Sequence, residues 1–106
     1  MRTSSTIYYN LSKYLGLSGR YDECIRICED GIRHIELSGK YRNYPSIMYN
    51  LAWALVRRNS KGDMERAESI LKKAYYTSII SWSKSLTEKA RNLYKEYFNK
   101  DLPELI

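Results

Sequence analysis

Helix breakers are scarce in this chain: two prolines and five glycines in 106 residues. That scarcity excludes collagen-like and low-complexity classes and leaves room for long helices. Apolar runs are short, and none approaches the roughly eighteen residues of a membrane-spanning helix. The first residues, Met1 to Thr6, are polar and run directly into a patterned segment, without the apolar stretch of a secretory signal. A cytoplasmic location with no membrane partner is therefore expected. Only two cysteines, Cys24 and Cys28, and one histidine, His34, are present. A structural zinc site wants four ligands at recognisable spacing, so neither a metal nor any other cofactor is expected. The cysteines, four apart, are expected to be reduced, buried side chains on one helix face.

Catalytic patterns are missing as well. The chain has no glycine-rich phosphate loop, no paired carboxylates in a recognisable setting, and no serine or cysteine at a diagnosable spacing from His34. His34 reads as a partly exposed helix residue, and no enzyme is expected. Lysine and arginine outnumber aspartate and glutamate by 18 to 12, a formal charge of +6. That excess gives a mild preference for anions. Many of the cations, such as Lys72, Lys73, Lys89 and Lys95, fall at solvated helix positions. No nucleic-acid motif accompanies them, so direct nucleic-acid binding by this chain is not expected.

What the sequence has in quantity is helical periodicity. Ile7, Tyr8, Leu11, Tyr14 and Leu15 recur at helical spacing and predict a first helix over about residues 5–17, stopped at Ser18-Gly19-Arg20. A second follows at once on a stripe of Tyr21, Cys24, Ile25, Cys28, Ile32 and Ile35, with Asp22 and Glu23 at its start and a stop near Gly39. After a tyrosine-rich connector, Pro45 suits the first turn of a third helix carrying Ile47, Met48, Leu51, Ala52 and Leu55. Asp63 is placed to N-cap a fourth, which buries Met64, Ala67, Ile70, Leu71, Ala74 and Tyr75. Ser85-Leu86-Thr87-Glu88 matches a capping box for a fifth with Leu86, Ala90, Leu93, Tyr94, Tyr97 and Phe98. The apolar tail, Leu102 to Ile106, is expected to fold back on the last hairpin. No strand alternation is evident. The expected fold is all-α: a single domain of antiparallel helical hairpins, about five helices in total.

The first and third helices repeat one another. Tyr8-Tyr9-Asn10-Leu11-Ser12-Lys13-Tyr14-Leu15 aligns with Met48-Tyr49-Asn50-Leu51-Ala52-Trp53-Ala54-Leu55, identical at four of eight positions. Gly19 to Cys24 aligns with Gly62 to Ala67 at a shift three residues greater, so the second hairpin has about three extra residues near its turn. These residues resemble the tetratricopeptide repeat. Tyr8, Leu11 and Ser12, and Met48, Leu51 and Ala52, fit the large–leucine–small pattern of its first helix. Gly19, Tyr21 and Cys24 fit its turn, Gly62 and Ala67 fit with Met64 replacing the aromatic, and Gly31 and Ala74 supply the small residue deeper in its second helix. The resemblance implies an α-solenoid fragment, with repeat 1 at about 5–38, repeat 2 at about 45–80 and a capping helix at about 84–98.

Longer, degenerate repeats of this kind are similar to the C-terminal sensor regions of bacterial helix-turn-helix transcriptional regulators, including pheromone-receptor types. The DNA-binding portion of such a regulator is not found in these 106 residues. The resemblance therefore implies a fragment, or a chain completed by self-association, with DNA contact only through an upstream domain. It also implies that the first helix of each hairpin lines a concave face. Tyr9, Asn10, Lys13, Tyr49, Asn50, Trp53 and Arg57 are then the peptide-binding candidates. The aromatics offer contact area, the asparagines hold a ligand backbone, and Lys13 and Arg57 meet a carboxylate. In the competing reading the asparagines tie neighbouring helices together and the aromatics pack on a missing repeat or a second copy. The expected function is a peptide- or protein-binding and dimerisation module, a homodimer within a regulator; the alternative is a free-standing interaction adaptor.

Overall fold

The computed structural model describes residues 4–100 and Leu102. The described residues form five helices and no strand: α1 (Ser5–Leu17), α2 (Tyr21–Ser38), α3 (Tyr44–Arg58), α4 (Asp63–Ile80) and α5 (Lys84–Phe98). The protein is all-α, and among these residues no helix is long and apolar enough to cross a membrane. Local chemistry sets most boundaries. Ser4 caps α1 by accepting the Thr6 N–H at 3.1 Å. Gly39 ends α2 in the left-handed region at φ 72°, where a Cβ would be strained. Pro45 sits in the first turn of α3, as its missing N–H allows.

Two expected caps do not form. Gly62, at φ 84°, takes the N-cap position of α4, and Asp63 is the first helical residue. The Asp63 carboxylate is already engaged: it accepts from Arg58 Nε and Nη2, both at 2.8 Å, and from the Ser60 N–H at 2.8 Å. α5 starts at Lys84 with Ser83 as N-cap, so Ser85 is inside the helix and the Ser85–Glu88 box is lost. Thr87 organises that end instead. Its hydroxyl donates to the Ser83 carbonyl and stands 2.7 Å from the Ser78 hydroxyl, which ties α5 to the end of α4.

Each helix packs on the next, and α3 also touches α1 and α5, whereas α2 and α4 do not approach each other closely. The result is two layers, with α1, α3 and α5 side by side and α2 and α4 behind them. α3 is the central helix: eight of its 15 residues are buried, against three of 13 in α1. Close approach relies on small residues. A methyl group added at Gly31 of α2 would stand 2.8 Å from Tyr8 Cβ and 3.4 Å from Ile47 Cδ1, so α1, α2 and α3 converge there. Ala52, Ala67 and Ala74 are fully buried. Large side chains fill the gaps around them, among them Tyr75, Ile35, Leu51 and Leu71, each worth about 1.5–3 kcal/mol of burial.

Only part of the apolar stripe of α1 faces the core. Ile7, Leu11 and Tyr14 are 55%, 40% and 62% exposed. The residues of α1 that face the bundle are Tyr8, Ser12, Leu15 and Gly16. The repeat explains the difference. The equivalents of Ile7, Leu11 and Tyr14 in α3 are Ile47, Leu51 and Ala54, all buried because α3 has a hairpin before it. Among the described residues α1 is packed only by α2 and α3, and this face of it is exposed.

The three extra residues of the second hairpin are shared out. α3 runs one residue beyond its repeat equivalent, the turn is one longer, and α4 starts one earlier. They bring in the Arg58–Asp63 pair, and Arg58 also reaches Asp22 of α2 at 3.0 Å. α2, α3 and α4 are thereby joined at one end of the bundle. Arg66 adds a bond from α4 to Glu29 of α2 at 2.6 Å. Of the apolar tail, Leu102 is buried in the core cluster. Residues 103–106 lie outside the described residues.

Gly31→Ala should destabilise the protein by about 1–3 kcal/mol, because the added methyl meets backbone-proximal Tyr8 Cβ. Helix propensity alone would give the opposite sign, by about 1 kcal/mol. An unchanged or raised urea midpoint contradicts the packing described here.

Asp63→Ala should cost about 1–3 kcal/mol at neutral pH, since it strips Arg58 of its two-point partner and leaves only Asp22. The Arg58 guanidinium, and then the Ser60 N–H, hold the Asp63 carboxyl below its ordinary value. With the folded pKa depressed, the stabilisation is fully present above the unfolded value of about 3.9 and is lost as pH falls through the folded one. The stability gap between wild type and variant should be constant above about pH 5 and narrow below about pH 4. A gap that widens on acidification contradicts the assignment.

Candidate functional site

Between α1, α3 and the start of α5 lies an open groove of about 410 Å³. Helix periodicity selects its walls. Tyr9, Lys13 and Gly16 share one side of α1, and Ser46, Tyr49, Asn50 and Trp53 share one side of α3. Ser83, Ser85, Leu86 and Lys89 form the third wall. The floor is small and polar: Ser12, fully buried, and Cys24, which donates its thiol to the Ser12 carbonyl at 3.2 Å.

Trp53 dominates the aromatic surface. Its ring covers Gly16, where an added methyl would stand 3.1 Å from Cζ3, so the glycine lets the indole lie flat against α1. Tyr21 meets it edge-on, with centroids 6.0 Å apart. The Arg57 guanidinium lies 4.9 Å from the ring centroid on its other flank. Tyr49 is half-buried; burial, then the nearby Glu96 charge, push its phenol above the ordinary value, so it stays a neutral hydrogen-bonding group. Two cations, Lys13 and Lys89, line the groove, and no carboxylate does. Its field therefore favours an anionic occupant.

Of the residues singled out from the sequence, Tyr9, Lys13, Tyr49, Asn50 and Trp53 come together on these walls. Asn10 and Arg57 do not line the groove. Asn50 donates Nδ2 to the Ser12 hydroxyl at 3.0 Å, so it ties α3 to α1. Its repeat equivalent, Asn10, occupies the same helical position on α1, where no described helix lies before it, and is exposed. Arg57 is exposed above Trp53. The contribution of α5 went unread, although Leu86 and Lys89 have the spacing of a helix face and α5 follows α4 as α3 follows α2.

Elsewhere, His34 is half-buried and its ring stacks at a tilt on Tyr8, with centroids 5.4 Å apart. Cys24 and Cys28 are both free and buried. The neighbouring Cys24 thiol, then burial, push the Cys28 thiol well above its ordinary range, so it stays protonated. No group of three metal-binding side chains occurs among the described residues. Compared with known proteins, the chain matches no family model, no curated protein and no solved structure.

Proposed function

We propose that this chain is a binding module that holds an extended acidic peptide segment of another protein in the α1–α3–α5 groove. The observation that carries this reading is the groove's chemistry: Tyr9, Tyr49, Trp53 and Leu86 offer apolar contact, Lys13 and Lys89 offer charge, and no carboxylate is among its lining residues. Aromatic side chains give large contact area at low entropic cost. The volume, about 410 Å³, lies in the range of ligand pockets and suits a few side chains rather than a whole domain. The resemblance of the two hairpins to tetratricopeptide repeats supports the same reading, since the first helix of each hairpin lines the groove. Within it, Asn50 acts as a tie between helices and not as a clamp on the ligand. The groove bears on binding; membership of a transcriptional regulator rests on the resemblance alone.

Panning a random displayed-peptide library on the 106-residue chain tests the proposal. Enriched sequences should combine acidic with aliphatic or aromatic residues, and their affinity should fall as salt is raised. Lys13→Glu with Lys89→Glu, both at exposed positions, should weaken a selected peptide by at least about tenfold while leaving helicity intact. Failure to enrich any sequence, or binding indifferent to the charge reversals, sinks the proposal.

A further inference from the structure

We propose that a second cavity, at the end of the bundle where α1 and α3 begin and α2 ends, binds a small polyhydroxy phosphate monoester of the sugar-phosphate class. This cavity shares no lining residue with the α1–α3–α5 groove.

Three segments of the sequence supply its chemistry. The start of α1 contributes hydroxyls, α2 contributes His34 about one turn before its end, and the α2–α3 connector contributes Lys40, Arg42 and Asn43. Together they border about 600 Å³, within the roughly 300–1,000 Å³ of small-molecule sites. Lys40 and Arg42 line the cavity, and no carboxylate is among its lining residues. Among the described residues neither cation forms an ion pair. Glu36, the acid nearest to them in sequence, is exposed on α2 and does not line the cavity. The local field therefore favours an anion, and both cations are available to it.

Hydrogen bonding selects the kind of anion. Asn43 makes no cap for α3, because its amide nitrogen is turned to α1. There Nδ2 donates to Ser5 Oγ at 2.8 Å and to Thr6 Oγ1 at 3.1 Å. Each hydroxyl accepts one bond and keeps its own proton to donate. Ser4 is in the same state, since its Oγ accepts the Thr6 N–H at 3.1 Å. Three hydroxyl donors thus gather on one turn, opposite a guanidinium and an ammonium. A carboxylate has two oxygens to satisfy. A phosphate monoester has three terminal oxygens and close to two charges at neutral pH, and so makes fuller use of this set. Backbone charge agrees. The positive ends of α1 and α3 face this end of the bundle. α2 ends here too, but its Ile35 carbonyl is already taken by the Gly39 N–H and the Ser38 hydroxyl.

The rest of the cavity suits a body with hydroxyl groups. One phosphate group leaves most of the volume unfilled. The Asn43 carbonyl oxygen accepts where its nitrogen is spent, which matches a ligand hydroxyl. His34 offers a ring N–H, and its imidazole is steadied by the Tyr8 ring, with centroids 5.4 Å apart. The Lys40 N–H donates to Ser38 Oγ at 3.2 Å, which fixes the path of the connector as it leaves α2.

Titration of the isotope-labelled 106-residue chain with a panel of pentose and hexose phosphates, followed by NMR, tests this. Inorganic phosphate and the unphosphorylated sugars serve as comparisons. At least one ester should move the His34 ring and the Ser5, Thr6 and Asn43 amides saturably. It should bind at least about tenfold more tightly than inorganic phosphate, and the free sugars should leave those signals unmoved. Lys40→Glu with Arg42→Glu, both at exposed positions, should weaken that ester at least about tenfold with unchanged far-UV circular dichroism. Lys61→Glu with Lys73→Glu, the same charge change at exposed positions outside the cavity, should weaken it by less than about twofold. Binding of no ester, inorganic phosphate binding as tightly as every ester, shifts centred on Trp53 and Lys89 in the groove, or equal losses in the two double variants would each overturn the proposal.

Discussion

Three helices meet at Gly31, and the rest of the structure depends on that meeting. With no Cβ on α2 at this point, Tyr8 of α1 and Ile47 of α3 both come within contact of the α2 backbone. Their approach sets α3 against the first hairpin and so fixes the gap between α1 and α3. Gly16 plays the complementary part on the other side of α1, where Trp53 lies over it and Cys24 lies beside it. One glycine thus closes the core, and the other lets an indole line the groove instead of projecting from it. Close packing of this sort leaves little slack, since protein interiors are as dense as organic crystals.

From that contact outward, position in the array decides what each helix does. α3, flanked on both sides, buries its apolar residues almost all round and keeps only one stripe open, the groove wall. α1 carries nearly the same sequence pattern yet buries much less of it, because nothing described precedes it. The charged ties among Asp22, Arg58 and Asp63 hold α2, α3 and α4 together, and none of the three lines the groove. Arg58 and Asp63 flank the lengthened second turn, so the irregularity of the repeat is also one of its fastenings.

The five helices were legible from the sequence because glycine, proline and apolar spacing act within a turn or two of themselves. Gly19, Gly39 and Gly62 all adopt the left-handed backbone that stops need. What was not legible depended on neighbours far along the chain. Asp63 has the right chemistry for a cap, but Arg58 reaches it first. Ser85 and Glu88 fit a capping pattern, yet the helix starts two residues earlier, with Ser83 at the N-cap and Thr87 bonded to the Ser83 carbonyl and beside Ser78. The apolar spacing of α1 was read correctly as a helix, but periodicity reports that a stripe exists and not which part of it a partner covers. The same limit divides Asn50 from Asn10: identical positions in the repeat, one bonded to Ser12 and the other facing out. Five of the seven candidate site residues converge because the groove follows helical periodicity, whereas the α5 wall arises from how α5 docks.

The central claim is that the α1–α3–α5 groove is the binding surface, and amide and indole NMR signals test it most directly. The chain has two tryptophans with opposite placements: Trp53 on the groove wall and Trp82, 92% exposed in the α4–α5 turn. Titrating the isotope-labelled chain with an acidic peptide selected on it should shift the Trp53 indole signal and the amides of Tyr9, Lys13, Tyr49 and Lys89. The outward positions of α2 and α4, such as Arg33 and Lys73, should stay silent. Shifts confined to α2 and α4, with the Trp53 indole unmoved at saturation, would contradict the account.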